Sequence, residues 1–193
     1  TLPEAFAAAK SGDVITLLRD INVTTTGKAG RINCTIYNAE VTLDGNGKTI
    51  TSVADVALAF FHNANGSVEN GSNSSVVVKN LTIINNDTAT GVALQVNSNT
   101  KVTLDNCKLD SVKKNTYGTV LLQAESHLVL NGGTEIAPTI KGTAIYFNGA
   151  NCSVAINKAI INADLVFRLA HVAKITIGAG ADISVTDTLF NIT

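Results

Sequence analysis

A short apolar segment that recurs at a fixed spacing is the feature of this chain that most constrains its fold. Each copy has a large aliphatic residue at its first and third positions and Thr, Val or Ala at its second. The fourth position falls at residues 44, 79, 105, 131, 157 and 178, so successive copies are 35, 26, 26, 26 and 21 residues apart. Three equal steps of 26 residues indicate a structural repeat.

Each repeat is built from short strands. The alternation within a segment has a period of two, which is typical of a half-buried strand whose first and third side chains point inward. Another apolar strand precedes the later segments, at residues 92–96, 120–124 and 144–147. A further aliphatic residue follows each segment after a polar or small turn, at Ile50, Ile83, Leu109, Ile136, Ile161 and Ile183. Three short strands in each repeat suit one coil of a parallel β-helix.

A single coil cannot bury its own apolar side chains, so neighbouring coils must stack and share one core. The sequence therefore predicts an all-β fold: a single-stranded, right-handed parallel β-helix of about seven coils, forming one domain over residues 1–193. A leucine-rich repeat has a similar period, but it needs a dense Leu pattern and a helical segment in each repeat, which this sequence lacks. A β-sandwich stays open as an alternative, because strands spaced by roughly 8–12 residues also suit it.

The two ends of the chain differ. Thr1 and Glu4 form a capping-box pattern with Pro3 between them, and Gly12 is a stop signal, so we expect a short capping α-helix within residues 1–12. Residues 188–193 end the chain within a strand pattern and without a polar cap. At this end we expect a truncation, a natural continuation of the chain, or end-to-end self-association through the C-terminal coil.

Composition and charge argue against several classes of partner. Charged residues make up only 15% of the chain, the net charge is -1, and the Lys and Arg residues are scattered, so we expect no nucleic-acid partner. No apolar run approaches the roughly 20 residues of a membrane span. Cys34, Cys107 and Cys152 cannot all pair and do not match a zinc spacing, so we expect buried small apolar residues, with one disulfide or a reactive thiol as the alternative. The start at Thr1 indicates secretion with processing or a trimmed chain, and we expect an extracellular or cell-surface location.

Three blocks of the first half carry a family resemblance. Residues 11–17 read SGDVITL, residues 43–50 read LDGNGKTI and residues 77–83 read VVKNLTI. With these blocks and the 26-residue register, the chain resembles the pectate-lyase-like right-handed parallel β-helix superfamily, as a non-catalytic, adhesin-type member. The resemblance implies the fold and does not by itself imply an activity.

The resemblance also says what a catalytic member should contain. Polysaccharide lyases of this superfamily have clustered Asp and Glu ligands for calcium with an Arg or Lys base, and glycoside hydrolases need two or three carboxylates on adjacent coils. The fourth-position column offers only Asp44 and Asp105, which are separated by Lys79, and the three Arg residues fall in different coils. We therefore predict no catalytic, cofactor or metal residues and a protein that is not an enzyme.

Two regions are candidates for a ligand surface. Tyr146 and Phe147 are adjacent on a predicted strand, so one ring should face outward and could stack on a sugar beside Asn148 and Asn151. The longest step of the repeat contains a polar segment rich in Asn, Gly and Ser, and long loops on a rigid scaffold often bind ligands. Its candidate residues are His62, Asn65, Asn70 and Asn73.

Three functions remain open at this point. The first is a bacterial surface or secreted adhesion module that recognises a polysaccharide or a host surface protein through a face or a loop of the β-helix. The second is a fragment or degenerate member of a polysaccharide lyase or glycoside hydrolase. The third is a structural or ice-binding rod, since Thr42, Thr103 and Thr176 share one outward column. Val77, Val129 and Ala155 interrupt that column, which argues against a regular Thr array.

Overall fold

The computed structural model describes residues 1–62, 74–112 and 117–193 and forms a parallel β-solenoid with one short N-terminal helix. The predicted fold class is confirmed. The solenoid has about six turns, whereas the sequence predicted about seven. The difference arises because seven strands stacked in one sheet are separated by only six turns of the chain.

The strands form two sheets, and the pairings between successive coils are parallel. The front sheet contains β1 (Val14–Thr16), β4 (Glu40–Asp44), β7 (Ser74–Lys79), β10 (Thr100–Asp105), β13 (His127–Asn131), β16 (Cys152–Ile156) and β18 (Ala173–Ile177), in that order. The six strands after β1 carry the six recurring segments of the sequence, and the fourth positions of the last two segments, Asn157 and Gly178, directly follow their strands.

The wrapped sheet has twelve strands and covers the two other sides of the solenoid. One side contains β2 (Ile21–Val23), β5 (Thr49–Ser52), β8 (Thr82–Asn85), β11 (Lys108–Ser111) and β14 (Thr134–Ile136). The other contains β3 (Ile32–Thr35), β6 (Val56–Phe61), β9 (Val92–Val96), β12 (Val120–Leu122) and β15 (Thr143–Phe147). The long strand β17 (Ala159–Leu169) pairs with both β14 and β15 and so joins the two sides, and β19 (Asp182–Ile192) pairs with β17.

The core consists of columns of aliphatic side chains that stack from coil to coil. In the front sheet, Leu104 pairs in register with Val78 on one side and Leu130 on the other, and all three are fully buried. Leu43 and Ile156 extend the same column and are also fully buried. The predicted inward column is therefore confirmed, and it reaches Ile177, which is 50% exposed at the last strand.

The N-terminal helix α1 (Leu2–Ala8) covers part of the first coil. Its capping box is present, since the Glu4 amide donates to Thr1 Oγ1 and the terminal amine donates to Glu4 Oε2. Leu2 and Phe6 are buried, and the Phe6 ring meets the Phe60 ring edge-on at 5.4 Å between centroids. The predicted capping helix is confirmed, and it ends at Ala8, before Gly12.

At the opposite end, β18 and β19 are the outermost strands of their sheets. Side chains that continue the core columns are exposed there, with Phe190 at 47% and Ile192 at 84%. Phe190 stacks on Phe167 of the previous coil, which is fully buried. End-to-end self-association through this coil stays a prediction.

The three cysteines are buried and unpaired, as the sequence predicted. Burial raises the pKa of the Cys107 thiol to about 11 and raises that of Cys34 further. The thiols of Cys34 and Cys107 are therefore protonated at neutral pH. None of the helices in the described ranges is long and apolar enough to cross a bilayer.

Candidate binding face

The outward surface of the front sheet, here called the front face, consists of three parallel columns of side chains. They arise because alternate residues of each strand point away from the core. The first column contains Glu40, Ser75, Lys101, His127, Ser153 and Lys174. The middle column contains Val14, Thr42, Val77, Thr103, Val129, Ala155 and Thr176. The third column contains Thr16, Asp44, Lys79, Asp105 and Asn131, followed by Asn157.

The middle column forms a low floor. From Thr42 to Ala155 its members are small or medium-sized and half-buried. Adjacent strands lie about 4.8 Å apart, so seven strands give a face roughly 29 Å long. The first and third columns are four residues apart along a strand, or about 13 Å. The front face is therefore a shallow strip with a largely apolar centre and polar margins.

Asp44 and its neighbours form a hydrogen-bonded group in the third column. Asp44 Oδ1 accepts from the Asn46 amide at 2.9 Å and from Asn80 Nδ2 at 3.2 Å, and Lys79 Nζ lies 3.3 Å from Asp44 Oδ2. The hydrogen bond from the Asn46 amide is the main reason that the pKa of Asp44 is lowered, with smaller contributions from Asn80 and Lys79. The carboxylate therefore stabilises the corner of the coil.

Asparagines line the corner that follows the third column. Asn80 and Asn106 have φ values of 54° and 52°, in the left-handed region that Asn tolerates better than most residues. Asn106 Nδ2 donates to Asn80 Oδ1 at 2.9 Å, which links two successive coils. A polar hollow of about 420 Å³ lies here, bordered by both asparagines and by Asp44, Thr82 and Lys108.

A second polar hollow borders the first column. It has a volume of about 600 Å³ and is lined by Glu40, Ser74, Ser75, Asn99, Lys101, Glu125, His127 and Asn151. His127 Nδ1 lies 2.8 Å from Ser153 Oγ on the next coil. Partial burial, and then the charge of Lys101, lower the pKa of His127 below its usual value of 6.5. The imidazole is therefore mainly neutral at neutral pH.

The acidic residues of the front-face columns are few and widely spaced. Within residues 1–62, 74–112 and 117–193, no group of three or more His, Cys, Asp or Glu side chains could hold a metal ion. Asp44 and Asp105 lie two strands apart, or about 10 Å, with Lys79 between them. Paired carboxylates of retaining glycosidases lie about 5–5.5 Å apart, and those of inverting enzymes about 6.5–9.5 Å.

The two aromatic residues predicted to include an exposed ring are both buried. Phe147 points into the core and is fully buried, whereas Tyr146 points outward but is only 8% exposed. Tyr146 pairs in register with Leu121 and Arg168, and the Arg168 guanidinium lies 4.8 Å from the centre of its ring. The prediction of an exposed stacking ring is therefore wrong, because outward neighbours on adjacent coils contact Tyr146.

The polar residues of the same candidate group lie at the margin of the front sheet. Asn148 Nδ2 donates to Gln123 Oε1 of the preceding coil at 3.0 Å. Asn151 is exposed, has a φ of 59°, and lines the hollow beside His127. Asn151 therefore borders a hollow of the front face, and a ligand role for it stays a prediction.

His62 is buried, contrary to the prediction that it belongs to an exposed ligand loop. It is 3% exposed and stacks on Tyr37, and its Nδ1 lies 2.8 Å from Ser74 Oγ, which donates to the Ile36 carbonyl. These contacts hold the ring between the first and third coils of the solenoid. The other loop candidates, Asn65, Asn70 and Asn73, lie outside the described residues.

The 26-residue spacing of the sequence also aligns polar residues of adjacent coils along the front face. His127 and Ser153 are 26 residues apart, as are Asn131 and Asn157, so the repeat places each pair on adjacent coils. Asn157 Nδ2 donates to Asn131 Oδ1 at 2.8 Å. The fourth-position column already aligned Asn131 with Asn157, and the same 26-residue register also aligns His127 with Ser153.

Comparison with known proteins identifies one family. The sequence model of the family described as "Putative pectate lyase-like adhesive domain" matches residues 4–117, which is more than half of the chain. The matched region includes most of α1 and the first four strands of the front sheet. Searches of curated proteins and of solved structures found no match.

Proposed function

The chain belongs to this family of pectate lyase-like adhesive domains, and from that premise we propose that it is an extracellular adhesion module that binds a polysaccharide along its front face. The observation that carries the proposal is the strip of half-buried Thr, Val and Ala side chains between two columns of hydrogen-bonding groups. A sugar chain offers alternating apolar ring faces and hydroxyl groups, and an extended polymer can follow a surface that repeats at every coil.

The composition of the front face favours a polysaccharide over a host protein. Protein interfaces depend on a few buried anchors that are enriched in Trp, Tyr and Arg. No Trp, Tyr, Phe or Arg occurs among the outward residues of the three columns within the described part of the chain, so the face lacks such anchors, and a sugar would pack on its aliphatic floor. The exposed groups are short side chains, amides, hydroxyls and a few charges, which suit a hydroxyl-rich ligand.

The same residues argue against the two alternatives. For a hydrolase or lyase, Asp44 and Asp105 are far apart, and Asp44 already binds Lys79 and backbone. For an ice-binding rod, a regular array of threonines is needed, but the register places Val77 and Val129 between the threonines of the middle column. Binding without cleavage is the function that this face supports best.

A matched pair of variants tests the proposal. Thr103 lies in the middle column, and Thr51 is a half-buried outward Thr of the wrapped sheet. Thr103→Arg and Thr51→Arg add the same bulk and charge on different sides of the solenoid. We expect co-sedimentation with insoluble plant, algal or host polysaccharides to be lost in Thr103→Arg and retained in Thr51→Arg.

Two outcomes would count against the proposal. If both variants lost binding equally, or if neither variant lost binding, the ligand would have to bind elsewhere than on the front face. Ultraviolet detection of unsaturated sugars, or of new reducing ends, would show that the chain cleaves its ligand and would revive the enzyme alternative.

A further inference from the structure

We propose that β13 and β16 form a subsite for an uncharged sugar ring, so that the ligand is a neutral glycan rather than a polyuronate. This inference rests on the proposed function and narrows it to a class of polymer and to two adjacent strands. Four side chains at the margins and two in the floor carry the argument: His127, Ser153, Asn131, Asn157, Val129 and Ala155.

The distribution of charge along the front face is uneven. The strands β4, β7 and β10 carry its acidic residues together with Lys79 and Lys101. These charges offset one another, since Lys79 lies against Asp44 and Lys101 shares a hollow with Glu40 and Glu125. The outward residues of β13 and β16 carry no charge while His127 is neutral. Lys174, on β18, lies one strand beyond them.

The margins of this uncharged zone are oriented by hydrogen bonds between coils. One margin is the His127 Nδ1 and Ser153 Oγ pair at 2.8 Å, and the other is Asn157 Nδ2 donating to Asn131 Oδ1 at 2.8 Å. These two bonds do not use Nε2 of His127, the Nδ2 group of Asn131 or Oδ1 of Asn157. Donors and acceptors therefore border both sides of the strip, and a sugar hydroxyl can pair with either kind.

The floor between the margins is apolar and low. Val129 and Ala155 are paired in register and half-buried. Ala155 has the smallest side chain of the middle column, so it lets a ring approach the sheet closely. The C–H face of a pyranose ring can pack on these two side chains while its equatorial hydroxyls point toward the two margins.

A uronate ring would be disfavoured at the same position. A buried or half-buried carboxylate needs a cation or several donors to offset its lost hydration. No Lys or Arg is present among the outward residues of β13 and β16. Lys101 and Lys174 lie one strand away on either side, but Lys101 shares its hollow with Glu40 and Glu125, and Asp105 pairs in register with Asn131 at the opposite margin. The local charge therefore matches an uncharged ring.

The test compares oligosaccharides of equal length by isothermal titration calorimetry. The probes are neutral gluco-, manno- and xylo-oligosaccharides and oligogalacturonate. Ala155→Arg fills the floor of the subsite, and Ala137→Arg makes the same change at a half-buried position next to β14. Asn131→Asp removes the Nδ2 donor of this margin with little change in volume, so it tests the subsite even if Ala155→Arg impairs folding.

We expect at least one neutral probe to bind, with affinity about tenfold or more weaker in Ala155→Arg, weaker in Asn131→Asp, and unchanged in Ala137→Arg. The affinity should be insensitive to salt, because no ligand charge is involved. Preference for oligogalacturonate, or neutral binding that both subsite variants leave intact, would overturn the neutral subsite. If Thr103→Arg still abolished binding, the proposal of binding along the front face would stand without the neutral subsite. Absence of binding to every probe and to the polysaccharides above would overturn both proposals.

Discussion

His127 and Ser153 are joined by a hydrogen bond of 2.8 Å between Nδ1 and Oγ, although they belong to different coils of the solenoid. They are 26 residues apart, so their contact depends on coils that stack in register. The same register aligns Asn131 with Asn157 and Leu104 with Leu130. One repeat length thus determines both the core and the polar margins of the front face.

Replacing Leu104 with Ala should destabilise the solenoid strongly. The side chain is fully buried between Val78 and Leu130, so the change removes apolar contacts and leaves a cavity. We expect a loss of about 2–5 kcal/mol in the free energy of unfolding, measured by urea denaturation. Val129→Ala, on the outward face of the neighbouring strand, is the control and should cost clearly less. Equal costs would contradict the assignment of the two faces.

The ion pair between Arg31 and Asp55 should make the free energy of unfolding depend on pH in the acidic range. The guanidinium contacts both carboxylate oxygens, with Nε at 2.7 Å from Oδ1, and both side chains are largely buried. The hydrogen bond from Arg31 lowers the pKa of Asp55 from 3.8, so the unfolded chain binds the proton more tightly. The contribution of the pair is therefore complete above about pH 4 and is lost as the pH falls through the lowered pKa.

Thermal unfolding of Arg31→Ala tests that ion pair. At neutral pH the variant should be less stable by about 1–3 kcal/mol. The difference between the variant and the unaltered chain should shrink as the pH falls below about 4. A difference in stability that stays constant, or that grows on acidification, would show that Arg31 does not lower the pKa of Asp55.

Asn106 should be replaceable by Gly but not by Val. Its φ of 52° lies in the left-handed region, which is costly for a β-branched residue and accessible to Gly. Asn106→Val should lower the free energy of unfolding by about 1–2 kcal/mol or more, since it also loses the hydrogen bond to Asn80. Asn106→Gly should cost less, because it loses only that bond. A Val variant as stable as the Gly variant would argue against this corner geometry.

The three thiols should be protected in the folded chain. All three are buried, and burial raises the pKa of Cys107 to about 11. Incubation with iodoacetamide at about pH 8 should leave the cysteines unmodified by mass spectrometry, because all three are buried and Cys107 has little of the reactive thiolate form at that pH. The same reagent in guanidinium chloride should label all three. Rapid labelling of Cys107 under native conditions would contradict its buried position.

The sequence predicted the layers of the solenoid better than its surface. The 26-residue spacing and the period-two alternation were enough to place Leu104 inside and Thr103 outside. Alternation says on which side of a sheet a residue lies, but not what covers that side. Tyr146 shows the difference, because it points outward yet is buried by contacts with neighbours such as Arg168.

The candidate site was harder to predict, because it depends on small side chains repeated across coils rather than on a motif. Asn131 and Asn157 resemble ordinary turn residues when each is read alone. Their pairing emerges only when the coils are superposed. The prediction that His62 is exposed was wrong for a different reason. The polar sequence after it suggested exposure, but stacking on Tyr37 and the contact with Ser74 bury the ring.

The most direct test of the central claim is a residue-level map of glycan binding by nuclear magnetic resonance. The isotope-labelled chain would be titrated with the neutral oligosaccharide that binds best, and backbone amide shifts would be followed. We predict that the shifts concentrate on β10, β13 and β16, with Val129 and Ala155 among the most affected. Shifts confined to the wrapped sheet, or to either end of the solenoid, would contradict binding along the front face.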